Sequence, residues 1–268
     1  MMPTIGDPPL GTIPEIGDPT RDSVLTRMSK TRHILGKMVY ASNAYPTSIF
    51  PTNTLCARMS APHELDNKAL AFMVSHLGEY GHLECNRYGG WNTYGLEQHE
   101  LFKPFTVGKK AMHYHHFSDA SVDMPGVSGG AAFLAGGLIQ GLTQRQHLKA
   151  TGSHDNELVA GGTNLNFCIM INGILQELHI RLGSATPLYF DSLSTVFVAK
   201  SDQAEKKSIW LRRRAAVLQE GHDHNEIVPI HIPGTDMVAD AFTKYLVLRV
   251  WRRLMHYACN VSGDAPST

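Results

Sequence analysis

Four carboxylates are spaced along the chain in contexts that can do chemistry together. They are Asp119 in "HHFSDAS", Glu157 in "SHDNELVA", Asp191 in "PLYFDS" and Asp240 in "MVADAFTK". Successive members lie 38, 34 and 49 residues apart, so only tertiary structure can join them. Clustered carboxylates repel one another and need cations, and an all-oxygen donor set suits magnesium or manganese. Each residue also has an ordinary explanation. An Asp after a strand is a common turn former, and a Glu in a first helical turn complements the helix dipole. Four together, with no competing role visible, point to a metal-binding set.

Other candidate groups are less specific. Fifteen histidines include the runs "HYHH" and "GHDHNE", but neither has a partner pair at zinc-finger spacing. They read as strand or surface residues. The four cysteines, Cys56, Cys85, Cys168 and Cys259, form no C-x-x-C pair, and fit reduced thiols in an intracellular protein. Formal net charge is +0, so no global basic field advertises a polyanionic partner. A local patch remains: Lys206, Lys207, Arg212, Arg213 and Arg214 would either grip phosphates or form a solvated helix face. No run of about 18 apolar residues occurs, so no membrane span is expected. Nor is a secretory signal expected, because a basic n-region and an apolar h-region are missing.

The elements that would position the carboxylates follow from periodicity. Residues 1–22 are rich in Pro and Gly and repeat I-G-D-P, which predicts an arm or linker. Residues 23–110 read as mainly helical, with an amphipathic helix capped by Ser23 or Asp22 and two more helices after it. From residue 111 to 246 the texture becomes strand-like at 112–118, 127–134 and 138–144, separated by short turns bearing Gly. A long helix, a strand ending at Asp191, two helices, a strand over "EIVPIHIPG" and a last helix from "MVADAFTK" onward follow. Residues 247–268 continue that helix into a tail. The order implies a mixed five-stranded sheet covered by helices. Asp119 and Asp191 then fall at strand ends, Glu157 in a first helical turn and Asp240 at the start of the last helix. Sites in open α/β sheets form beyond the carboxyl ends of strands.

"FSDAS", "SHDNELVA", "PLYFDS" and "IPGTDMVADAFTK" resemble, in order, the ribonuclease H segments of copia-type LTR retrotransposon polyproteins. "SGGAAFLAGGLIQGLTQRQ" resembles the second and third strands of that domain. Upstream, "PTSIFPTNTLCARMSAPHELDNKALAFMVSHLGEYGH" resembles the thumb and connection of the same polyproteins' reverse transcriptase. The resemblance spans roughly residues 30–246. It implies a ribonuclease H-like domain in which Asp119, Glu157, Asp191 and Asp240 are catalytic and hold two Mg2+ ions (or Mn2+), with Asp155 outside that set. The implied substrate is the RNA strand of an RNA–DNA hybrid. The chain departs from the family in having Gly141 where a Trp is customary, Arg145 for a Lys, and Thr235 near the place of a loop His. His231 reads as structural. No Asp-Asp dipeptide occurs, so no polymerase is expected. A competing reading is a captured, catalytically idle fragment serving as a structural subunit of a larger assembly, such as a ribonucleoprotein. An integrase of the same fold class is disfavoured, since that triad ends in Glu and usually accompanies a His/Cys zinc module.

Overall fold

The computed structural model describes residues 21–60, 62, 64–84, 105–107, 110–112, 114–122, 126–147, 152–180, 182, 184–201 and 209–260. The expected Pro/Gly arm lies almost wholly outside them, as do Lys206 and Lys207. Two compact units divide the chain between Cys85 and Asn86.

The first unit is helical. Helix α1 (Arg21–Ala41), a 3-10 turn at Pro46–Ser48, α2 (Ile49–Cys56) and α3 (Glu64–Glu84) follow one another. Leu35, Met38, Leu55 and Leu70 interlock as its core. The buried Asp66 carboxylate is held by Arg58 at 3.1 Å, which offsets the cost of removing it from water.

The second unit opens with a short hairpin of β1 (Phe105–Val107) and β2 (Lys110–Met112). Its sheet has five strands: β3 (Tyr114–Ser121), β4 (Val127–Leu134), β5 (Gly137–Arg145), β6 (Thr186–Phe190) and β7 (Ile227–His231). Their spatial order is β5-β4-β3-β6-β7. β3, β4 and β5 meander antiparallel, while β6 and β7 add in parallel on the other side of β3. This is the mixed five-stranded sheet flanked by helices that the sequence implied. The helices are α4 (Ser153–Glu177), α5 (Leu193–Ala199), α6 (Ile209–Asp223) and α7 (Leu248–Ala258).

β3 is buried along its whole length, and alternation sends its side chains to opposite faces. On one face Ser118 meets Asn164 of α4, whose amide donates to Ser118 Oγ at 3.1 Å and to Gly129 O at 2.9 Å. An apolar core of Leu158, Leu165, Leu188, Phe190, Leu218 and Ile227 fills that side. On the other face His115, Phe117, Phe133 and Tyr189 form an aromatic cluster, and Tyr257 of α7 packs against Phe117 and Phe133. His115 and His116 of the "HYHH" run are therefore strand residues with aromatic partners. His115 Nε2 lies 2.9 Å from Tyr257 Oη, and His116 Nε2 lies 2.6 Å from Tyr114 Oη. By length and composition α4 could cross a membrane, but half of its apolar window is buried in the unit.

Two expectations require correction. The first strand runs to Ser121, not 118, so Asp119 sits inside β3, paired with Gly129. A strand buried on both faces keeps its ladder past a polar residue. The last helix is also not continuous. Asp240 lies in a 3-10 turn at Val238–Phe242, and α7 begins only at Leu248. Val238, Ala239, Asp240, Ala241 and Phe242 are all buried. A surface helix must leave one face in water, so this segment cannot be the first turns of amphipathic α7.

Candidate metal centre

Parallel pairing sets two of the carboxylates level. His116 is opposite Leu188 and Phe117 opposite Tyr189, so continuing that register two residues further places Asp191 beside Asp119. Asp191 follows the last residue of β6, where the chain turns into α5. Ser192 caps that helix, its hydroxyl accepting from Thr195 N at 3.3 Å, so the chain direction just after Asp191 is fixed. His231, at the end of β7, lies with Nε2 3.2 Å from the Asp191 main-chain oxygen, a geometry in which the ring N–H donates. The structural reading of His231 fits this contact.

Asp240 reaches the same place because β4 carries glycine opposite Asp119. A Cβ at Gly129 would collide with Thr243 Cγ2 and stand 3.0 Å from Ala239 O. The missing side chain thus lets the 3-10 turn lie directly on the sheet. Thr143 of β5 donates to Phe242 O at 2.7 Å and fastens the far end of that turn.

Asp119, Asp191 and Asp240 each offer an oxygen such that all three lie within 4.8 Å of one another. Among the described residues this is the group of side chains able to share a metal ion. Glu157 stands beside the trio, one turn into α4, close enough for its charge to be felt. Its carboxyl is pushed up to about 9, first by burial and then by the charges of Asp119 and Asp191. A hydrogen bond from the Ala120 backbone and the charge of Lys244 pull the other way. Its Oε2 is buried with no hydrogen-bond partner. Asp240 is pushed up to about 7 by burial and then by Asp119, with Lys244 opposing. Asp191 is raised by burial and by Asp119.

Thr243 and Lys244 complete the surroundings of the cluster. Thr243 Oγ1 donates to Asp119 Oδ2. The Lys244 ammonium sits 2.7 Å from Asp240 Oδ1 and 3.7 Å from Asp119 Oδ2. Burial works against that ammonium, but the charges of Asp119, Asp240 and Asp191 outweigh it, and its pKa lies above the ordinary lysine value. The i, i+4 spacing of Asp240 and Lys244 was the available signal.

The basic patch divides. Arg212 and Arg213 are exposed on α6, and the Arg213 guanidinium lies 5.6 Å from the centroid of exposed Trp210. Arg214 instead turns inward and pairs with Asp155 in the first turn of α4. Their side chains are 16% and 5% exposed, so Arg214→Ala would take a charge partner from a buried carboxylate. We expect a loss of about 3 kcal/mol of stability, read as a lower urea midpoint. Asp155→Asn added to that variant should restore part of it.

No protein-family model matches the sequence, and none of the curated proteins matches it. Among solved structures the chain is similar to RNase H1 from the halophilic archaeon Halobacterium salinarum NRC-1, at 16% identity and a TM-score of 0.37, over 48% of this chain and 93% of that one. LC11-RNase H1, isolated from compost by a metagenomic approach, is similar at 17% identity and 0.38, over 48% and 91%. The foamy viral protease-reverse transcriptase in complex with RNA/DNA hybrid is similar at 15% identity and 0.39, over 82% of this chain and 26% of that one.

Proposed function

We propose that this chain is a ribonuclease H-type endonuclease, derived from a copia-type retrotransposon polyprotein, that hydrolyses the RNA strand of RNA–DNA hybrids with magnesium. The observation that carries this reading is the convergence of Asp119, Asp191 and Asp240, from three separate elements, within 4.8 Å. Glu157 adds a fourth, partnerless buried oxygen beside them.

The residues fit a divalent ion on their own chemistry. All donors are hard oxygens, as magnesium and manganese prefer. Burial and mutual repulsion hold Glu157, Asp191 and Asp240 against ionisation, a strain that a cation relieves. In the two-ion scheme that the family resemblance implies, Asp119, Glu157, Asp191 and Asp240 would hold the ions between them. Bound there, the metal supplies an activated water and charge stabilisation for the leaving 3′ oxygen. The protein's own part is to hold four carboxylates together and to orient the phosphodiester against them. Exposed Arg212 and Arg213, with Trp210 beside them, offer phosphate contacts whose strength falls with salt. Discrimination of RNA would rest on 2′-hydroxyl contacts across the shallow minor groove of the hybrid.

The test is cleavage of an end-labelled hybrid with Mg2+ or Mn2+, set against Asp191→Asn. The unaltered chain should cut the RNA strand, and the variant should lose on the order of 10³-fold in rate. If the unaltered chain cuts nothing under either ion, the enzymatic reading fails, and the idle structural subunit takes its place.

A further inference from the structure

The carboxylate cluster is not symmetrically provided with neighbours. On the side of Asp240, Lys244 Nζ approaches Asp240 Oδ1 at 2.7 Å and Asp119 Oδ2 at 3.7 Å. Thr243 Oγ1 donates to that same Asp119 oxygen. On the side of Asp191 and Glu157 the described ion pairs include no cation, whereas both pairs at the cluster belong to Lys244. The cluster therefore carries one internal positive charge, placed between two of its carboxylates where a bridging cation would sit.

We propose that Lys244 takes the place of one of the two metal ions. Its ammonium holds Asp119 and Asp240 together, and the chain binds a single divalent ion on the side of Asp119 and Asp191, toward Glu157. The backbone fixes this arrangement: the Lys244 amide hydrogen-bonds to Asp240 O at 3.2 Å. The side chain, about one-third exposed, leans back over Asp240. Electrostatics point the same way. Unit charges about 4 Å apart interact by several times the thermal energy even at the effective permittivity of a protein surface. An ammonium and a divalent ion therefore exclude one another from one pair of carboxylate oxygens.

The inference rests on the cluster being a divalent-ion site, and the experiment separates the two ideas. Mn2+ is titrated into the unaltered chain, Lys244→Met and Lys244→Gln, and bound ions are counted by calorimetry and by paramagnetic resonance of free Mn2+. Thermal midpoints are taken in EDTA and in Mn2+. We expect one ion on the unaltered chain and two on each variant. We also expect a lower midpoint for the variants in EDTA that Mn2+ restores, because a second ion replaces the lost ammonium. Two ions on the unaltered chain, or the same count after substitution, would overturn the role of Lys244 while leaving the metal site standing. So would a variant that stays unfolded even with Mn2+. No ion on the unaltered chain would instead overturn the metal-site reading itself.

Discussion

Asp119→Asn is expected to abolish magnesium-dependent hydrolysis of the hybrid and, at the same time, to stabilise the metal-free protein. The loss should be on the order of 10³-fold or more, the range found when a central catalytic group is removed. Asp119 is the carboxylate that every other member of the cluster feels. Its charge raises Glu157, Asp191 and Asp240 alike, and its oxygen receives both Thr243 and Lys244. An amide keeps an oxygen for Thr243 but removes the negative charge. Repulsion within the cluster then falls, and we expect a gain of about 1 kcal/mol in EDTA, roughly 2–4 °C in thermal midpoint for a unit of this size. A structural role for Asp119 would give the opposite sign, a protein that melts lower and keeps its activity. Circular dichroism melts in EDTA, run beside the cleavage assay, decide between them.

The layered order of the second unit was legible because strand and helix periods differ, and because short Gly turns separate β3, β4 and β5. Their spans from sequence and structure agree closely over Val127–Leu134 and Gly137–Arg145. The detailed geometry of the cluster was not. That Asp191 is level with Asp119 depends on the register of two parallel strands, and nothing local fixes such a register. That Asp240 reaches the sheet depends on Gly129, a residue on another strand whose lack of a Cβ admits Thr243 and Ala239. The apolar run from Met237 onward has helical spacing, yet burial of five consecutive residues forces a 3-10 turn. Lys244 has no role that can be read from sequence, because spacing shows which residues are neighbours but not where a lysine's four-carbon stem leads. Arg214 illustrates the converse. In sequence it belongs to a basic run, and only the packing of α6 against α4 shows that its charge is spent on Asp155.

Without metal the protein should lose stability as pH rises through neutrality, and magnesium should remove that loss. A carboxyl whose pKa is higher in the folded chain than in the unfolded one holds more protons when folded. The free energy of unfolding therefore declines with pH from the ordinary carboxylate value, roughly 4, up to the folded value. Asp240 contributes to this decline up to about 7 and Glu157 up to about 9. One group works against them at the acid end. Burial lowers His116 to about 3, and a depressed histidine adds stability that is lost as pH falls below its unfolded value, roughly 6.5. The clean window is thus about pH 7 to 9, where His116 is neutral in both states and Glu157 dominates. In EDTA the thermal midpoint should fall across it. A divalent ion binds only the ionised carboxylates and stabilises by mass action, so in saturating Mg2+ the slope should vanish or reverse, and the two curves should diverge with pH. Glu157→Gln removes the principal titrating group and should flatten the EDTA curve. A midpoint in EDTA that stays level for the unaltered chain from pH 7 to 9, or a Glu157→Gln curve with the same slope as its parent, would show that Glu157 is not held against ionisation beside Asp119 and Asp191.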